Sequence, residues 1–546
     1  MRITILLLLA SSLAFADTAI HNVSGYTSTA AGMQEFKVLL MDDDGRVVAT
    51  GDESLLKEHP DALRIDGKGR TLLPGLIDAH AHVYGLGFLE TSLNLTGISS
   101  LDAATVRIAA YARDYPNRRW LLGRGWNQVI WPVKAFPTAA NIDAVVSDRP
   151  VWLNRIDSHA GWANSKALEI AGIDADTPDP VGGKILRDAN GNATGVLIDK
   201  AMDLVEAHVP QPTKNDIREA YRQAVADLVS LGLTGVHDAG INQDEAEVYM
   251  SMADDGELDM RIYAMIRGAD EALDAIGAPI TAYGDDRLEI AAVKLVADGA
   301  LGSRGAALIE PYSDDPENRG LPFWTDDELI AMTRRSMARG FQVGIHAIGD
   351  FGNRQALDAF EAAQDGKASA LRNRIEHAQI IALDDIPRFT ELGVIASMQP
   401  IHATSDMNMA EDRVGPERIK GGYAWRHLLE SGAVLASGSD FPVELPNPFL
   451  GLYAAVTRRD RSGQPDGGWY ADQALTRAEA LHSFTLAAAY AARQEDRLGS
   501  LEPGKWADFI IIDRDYFRVP AAQIDDIRVL ETWVGGQRVY AAEGAR

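Results

Sequence analysis

The sequence predicts an α/β protein: a (β/α)8 TIM-type barrel, a small β-sandwich built from both chain ends, and an insertion after barrel strand one. Three observations predict it. The middle of the chain alternates short apolar runs with helical stretches, the pattern of a parallel sheet with crossover helices. Both ends are β-rich. Histidines and carboxylates recur at the C-terminal ends of the apolar runs, the face on which such barrels carry their chemistry.

The N-terminus comes first. Met1-Arg2, an apolar run containing Leu6 to Leu9, and the small-x-small end Ala14-Phe15-Ala16 predict a secretory signal over 1–16. The competing assignment is a short buried strand. The run is too short to span a bilayer as a stable anchor, so a secreted, periplasmic protein is expected. Residues 17–75 hold the first part of the sandwich. There, Phe36–Met41 and Arg46–Ala49 flank the turn Asp42-Asp43-Asp44-Gly45 as a hairpin. Residues 496–546 hold the second part, with Ala507–Asp513, Val529–Val534 and a turn at Gly535-Gly536.

The barrel is expected over 76–495. Its eight strands are Leu76–Ala81, Thr234–Asp238, Arg261–Arg267, Ile290–Val296, Phe341–His346, Asn373–Ala378, Val394–Gln399 and Ala433–Asp440. Helical spacing of apolar residues marks Ile217–Leu231, and Asp326–Arg339, Arg354–Ala363 and Ile419–Ser431 follow the same pattern. A doubly wound sheet is the alternative, but its first strand has no Gly-x-Gly-x-x-Gly after it. The insertion spans about 95–213. It carries Trp126, Trp131, Trp152, His159 and Trp162, residues that could line a pocket or fill a subdomain core.

Composition narrows the function. The 546 residues carry 52 Lys+Arg against 79 Asp+Glu, a formal charge of −27, which argues against nucleic-acid binding. The chain has no cysteine, so disulfides, thiolate metal sites and a cysteine nucleophile are excluded, and any metal must take nitrogen and oxygen ligands. The expected partner is a small-molecule substrate. Exposed sandwich edges would support a homodimer.

The strand ends carry the chemistry. His80 and His82 are i and i+2 at the end of an extended strand and therefore point to one side. Lys294 lies in strand four, His346 and His377 end strands five and six, and Asp440 ends strand eight. Each has an ordinary alternative: a buried loop pair, a satisfied core histidine, a lysine paired with Asp298, a helix N-cap. Six such residues converging on one barrel face point instead to a metal site.

Together with Gly438-Ser439-Asp440, these residues resemble the amidohydrolase superfamily. Gly123-Arg-Gly-Trp126, Asp157-Ser-His159-x-x-Trp162, Lys294-Leu-Val-Ala-Asp298-Gly and Leu498-Gly-Ser-Leu-Glu-Pro-Gly504-Lys505 resemble its YtcJ-like, family 3 branch. The resemblance covers nearly all of the chain after residue 16. It implies a metal-dependent hydrolase with a distorted barrel. His80, His82 and Asp440 would hold the more buried metal, His346 and His377 a second, and Lys294, if N6-carboxylated, would bridge them. With a bare Lys294, a single-metal site is the fallback.

The donor set suits zinc, one ion or two, with Mn2+, Fe2+ or Co2+ as alternatives. The expected reaction is hydrolysis of an amide-type C–N bond of a small molecule, Asp440 acting as general base and then acid. The alternatives are an esterase or lactonase using the same water, and a non-catalytic metal- or solute-binding protein. His159 is the candidate oxyanion donor, with Trp126 and Arg304 as candidate substrate contacts. His237 is expected behind the ligands. His21, His59, His208, His402, His427 and His482 receive no functional role, although His402 lies just after strand seven.

Overall fold

The computed structural model describes residues 17–29, 31–155, 160–180, 183–268, 270–302 and 304–544. The expected signal over 1–16 and the candidate oxyanion donor His159 lie outside them.

Eight parallel strands form the central sheet: β1 (Leu76–Ala81), β2 (Leu233–Ile241), β3 (Arg261–Arg267), β4 (Leu288–Val296), β5 (Gln342–Ala347), β6 (Arg374–His377), β7 (Ile395–Met398) and β8 (Leu435–Ser437). They pair in chain order from β1 to β8. Most of their side chains are buried on both faces, which is why Ile, Val, Leu and Ala dominate them. The barrel is nearly closed. Beyond β8, Asp440 N donates to His80 O at 2.8 Å and His82 N to Phe441 O at 2.8 Å. Asp78 accepts from Ser439 Oγ at 2.6 Å and from Ser439 N at 3.0 Å. Gly438 permits this approach. A Cβ there would stand 2.4 Å from Asp78 Oδ1 and 2.5 Å from His80 N.

Helices follow the strands. Lys214–Ser230, Asp326–Ala338 and Asp350–Ala363 agree with the spacing read from sequence. The stretch expected as one helix over Ile419–Ser431 is a 3-10 turn, Ile419–Gly421, and a helix, Trp425–Glu430, because Gly422 is extended at ψ 129°. Two helices after β7, Pro400–Asp406 and Ala410–Arg418, were not foreseen.

The chain ends meet in one six-stranded sheet. Thr71–Pro74 from the N-terminal part pairs antiparallel with Phe509–Ile512 from the C-terminal part. A four-stranded sheet of Val47–Gly51, Val38–Met41, Thr18–His21 and Leu63–Asp66 faces it across a shared core that includes Ile20, Leu39, Phe509 and Trp533. The buried pair Arg261–Asp508, at 2.6 and 2.9 Å, ties β3 to this layer.

Residues Tyr84–Ala224 form a separate compact unit. Its six-stranded sheet runs Gly183–Arg187, Ala193–Asp199, Ala160–Ala163, Val151–Arg155, Leu121–Trp126, Leu93–Asn94. Trp126 is fully buried in this unit's core. Its indole N–H donates to Leu153 O at 2.7 Å, and Trp131 and Trp162 pack around it with ring centroids 6.5 and 6.1 Å away. A wholly buried indole with a satisfied N–H has no face left for substrate. The candidate substrate contact at Trp126 is therefore corrected to a core residue.

Candidate metal centre

The C-terminal ends of β1, β4, β5 and β6 and the turn after β8 bring His80, His82, Lys294, His346, His377 and Asp440 together. His80 Nε2 lies 3.0 Å from Lys294 Nζ and 3.6 Å from Asp440 Oδ1. His82 Nε2 lies 3.1 Å from the same Oδ1. The His377 ring stands 4.8 Å from His80 and 4.5 Å from His346, centroid to centroid. His80 is fully buried, whereas the His82 side chain is 40% exposed. All but His80 line a cavity of about 590 Å³.

Backbone geometry aims two of these groups. His377 and Asp440 hold left-handed backbone, at φ 72° and 63°. This conformation costs a non-glycine residue roughly 1–3 kcal/mol and clusters at functional sites. Each residue turns out of the strand alternation and presents its side chain to the barrel mouth.

Protonation states suit metal binding. Burial, the largest cause, pushes the His80 imidazole down to about 4 and His346 to about 3, and lowers His377 well below the ordinary range. All three are neutral at pH 7, the form that ligates. His80 Nδ1–H donates to Glu376 Oε2 at 2.5 Å and His377 Nδ1–H to Gln399 Oε1 at 2.7 Å, leaving both Nε2 lone pairs toward the site. Burial would raise the Asp440 carboxyl, but its histidine surroundings, with the His82 side chain first, hold it below the ordinary carboxylate range. Burial pushes the Lys294 ammonium down to about 8. The pairing of Lys294 with Asp298 does not form. Asp298 instead accepts the N–H groups of Ala307, Ile348 and Gly349 at 2.8–2.9 Å.

The donor set fits a divalent ion. His346 Nε2 and Asp440 Oδ1 are buried without a hydrogen-bond partner. Two ligands on a tetrahedral zinc stand about 3.4 Å apart, and the His82–Asp440 and His80–Asp440 separations of 3.1 and 3.6 Å bracket that value. His80, His82 and Asp440 make one candidate group, and His377, His402 and Asp440 another.

Comparison with known proteins decides what this barrel is. The model of the amidohydrolase family matches residues 64–540. The chain belongs to the amidohydrolase family. Within it, the chain is 33% identical over 510 residues to YtcJ of Bacillus subtilis (strain 168), covering 91% of this chain and 95% of that one. It is 29% identical over 529 residues to the N-substituted formamide deformylase of Arthrobacter pascens, covering 92% and 94%. The crystal structure of a metal-dependent hydrolase from Pyrococcus horikoshii OT3 superposes with a TM-score of 0.78 at 30% identity, covering 93% of this chain and 99% of that one. This amidohydrolase is thus a metal-dependent hydrolase by family and by fold.

Two sequence assignments move. Arg304 is held by Asp314, with Nε and Nη2 donating at 3.2 and 3.0 Å, and does not line the cavity. A guanidinium clamped by a carboxylate in this way is a structural ion pair. The arginine that does line the cavity is Arg267, at the end of β3, whose Nε donates to Gly240 O at 3.3 Å. His402, given no role from sequence, also lines the cavity.

A buried charge relay was missed as well. Arg374 Nε donates to Glu376 Oε1 at 2.6 Å, and its Nη1 lies 2.8 Å from His237 Nδ1. His237 therefore stands behind the ligands, linked to His80 through Arg374 and Glu376. The signal was present in the sequence. Arg374 and Glu376 are i and i+2 in one short strand and so share a face, and opposite charges on one buried face call for each other.

Proposed function

We propose that this amidohydrolase cleaves an amide-type C–N bond of a small molecule, with Asp440 moving the proton. The observation that carries it is the placement of Asp440: a buried, ionised carboxylate at the barrel mouth whose Oδ1 faces the Nε2 atoms of His80 and His82 at 3.6 and 3.1 Å. A divalent metal held by His80, His82 and Asp440, with His346, His377 and an N6-carboxylated Lys294 around a second position, would supply an acidified water and a Lewis acid. Zinc best suits these nitrogen and oxygen donors.

The chain's own groups do the rest. Asp440 accepts the proton of the attacking water as its oxygen bonds to the carbonyl carbon. It then delivers that proton to the departing nitrogen as the C–N bond breaks. Arg267 stands ready to pair with an anionic group, which favours amides that carry a carboxylate, such as N-acyl amino acids. A cavity of about 590 Å³ suits a small molecule. The resemblance to a formamide deformylase supports C–N chemistry. Residues 1–16 support export to the periplasm, with mature protein beginning at Asp17.

The test is a panel of N-acyl amino acids, formamides, neutral amides and esters, run on protein stripped with a chelator and reloaded with zinc. Metal-dependent turnover of amides, greatest for those with a carboxylate, is expected. Turnover confined to esters would overturn the C–N assignment, and no metal-dependent turnover on the panel would overturn the enzyme assignment.

A further inference from the structure

His402 belongs to no strand end. It sits in the helix Pro400–Asp406 that follows β7, where Pro400 in the first turn and the bond from His402 N to Gln399 O at 3.1 Å set its position. Its ring stacks on His377, with centroids 5.9 Å apart and planes inclined by 20°. Its Nε2 is buried and has no hydrogen-bond partner among the described residues. That atom stands 3.7 Å from Asp440 Oδ2, beyond hydrogen-bond reach. The other carboxylate oxygen, Oδ1, faces His80 and His82 at 3.6 and 3.1 Å. The Asp440 carboxylate therefore has the two β1 histidines beside one oxygen and His402 beside the other.

A buried imidazole nitrogen left unpaired is unfavourable unless something arrives to meet it. His402 shares one candidate metal group with His377 and Asp440, but it lies on the cavity wall and on a helix, not at a strand end. Hydrolysis of an amide also needs a donor for the carbonyl oxygen as negative charge builds there. We propose that His402 is a catalytic residue whose Nε2–H donates a hydrogen bond to that oxygen. The proposal rests on the hydrolase assignment above, and its test does not need a known substrate.

The test uses the full chain loaded with zinc, as wild type, His402→Ala and His402→Gln. Each is titrated calorimetrically with acetohydroxamate, an oxyanion-bearing probe, and its zinc content is measured. His402→Ala should bind the probe about 10- to 100-fold more weakly with zinc content unchanged. His402→Gln, whose amide N–H reaches near the position of Nε2–H, should recover most of the loss. On any amide that wild type hydrolyses, His402→Ala should lower kcat by about 100-fold or more with little change in KM. Equal probe affinity in all three chains, or no probe binding to zinc-loaded wild type, would overturn the proposal. Zinc loss in His402→Ala would overturn it too, by making the residue a ligand. Absence of wild-type turnover on the substrate panel would count against the hydrolase assignment alone, because the titration still reads His402.

Discussion

Glu376 Oε2 accepts a hydrogen bond from His80 Nδ1–H at 2.5 Å, and both side chains are wholly buried. The contact fixes the His80 tautomer and turns its Nε2 toward Lys294 and Asp440. Burial would raise the Glu376 carboxyl, but Arg374, His80 and Lys294 more than offset it and keep it ionised. Gly344 makes room for this carboxylate inside the barrel, since a Cβ there would stand 2.8 Å from Glu376 Oε1. Glu376→Gln should weaken metal affinity by about 10- to 100-fold, measured by competition with a chelator. It also leaves Arg374 without its counter-charge, at a cost of about 3–5 kcal/mol in a buried pair, read by urea unfolding. Unchanged affinity would remove Glu376 from the support of the site.

Lys294 is buried and its amine is pushed down to about 8. Only the neutral amine takes up CO2, and a lysine at this value is about one-tenth neutral at pH 7 against well under a thousandth for an ordinary one. The sign follows: the neutral fraction rises with pH and falls to about one-hundredth at pH 6. Incubation with 13C-bicarbonate and zinc should therefore give a carbamate resonance that is absent in Lys294→Ala and whose rate of appearance drops on acidification. A spectrum identical for both proteins would leave the single-metal site.

The barrel strands and the residues that converge at their C-terminal ends were legible because their signals are local. An apolar run that ends in a histidine or aspartate names both a strand and its chemistry, as at His80, His346 and Asp440. The rest depends on distant segments meeting. His402 lies on a helix that no strand-end pattern marks, and only the fold shows its ring stacked on His377. Trp126 looked equally suited to a pocket or a core until the packing of Trp131 and Trp162 around it was in view. Arg304 and Arg267 are alike in sequence. What separates them is Asp314, which clamps the first and leaves the second in the cavity wall.

Asp298 holds the loops behind His346. Its carboxylate takes three backbone N–H groups from Ala307, Ile348 and Gly349. Asp298→Ala strands these buried donors, each costing about 1–3 kcal/mol when left unpaired. Stability should fall by about 3 kcal/mol or more, with faster amide exchange at Ala307, Ile348 and Gly349. Unaltered exchange there would contradict the role given to Asp298.

Gly438 closes the barrel. Gly438→Ala would push a methyl group against Asp78 Oδ1 and the His80 backbone, and overpacking of this kind costs about 1–3 kcal/mol. Because the clash lies between β1 and Asp440, zinc affinity should fall along with the midpoint of unfolding. A stable variant with full zinc affinity would show that the β1–β8 junction has slack.

The central claim is that Asp440 moves the proton in a metal-dependent hydrolysis. The most direct measurement is turnover per bound zinc for wild type and Asp440→Asn on the best amide of the panel. Loss of turnover by about 10²–10⁴-fold, the range for removing a general base, is expected in protein that still binds zinc at the histidines. Equal turnover per zinc in the two proteins would contradict the account.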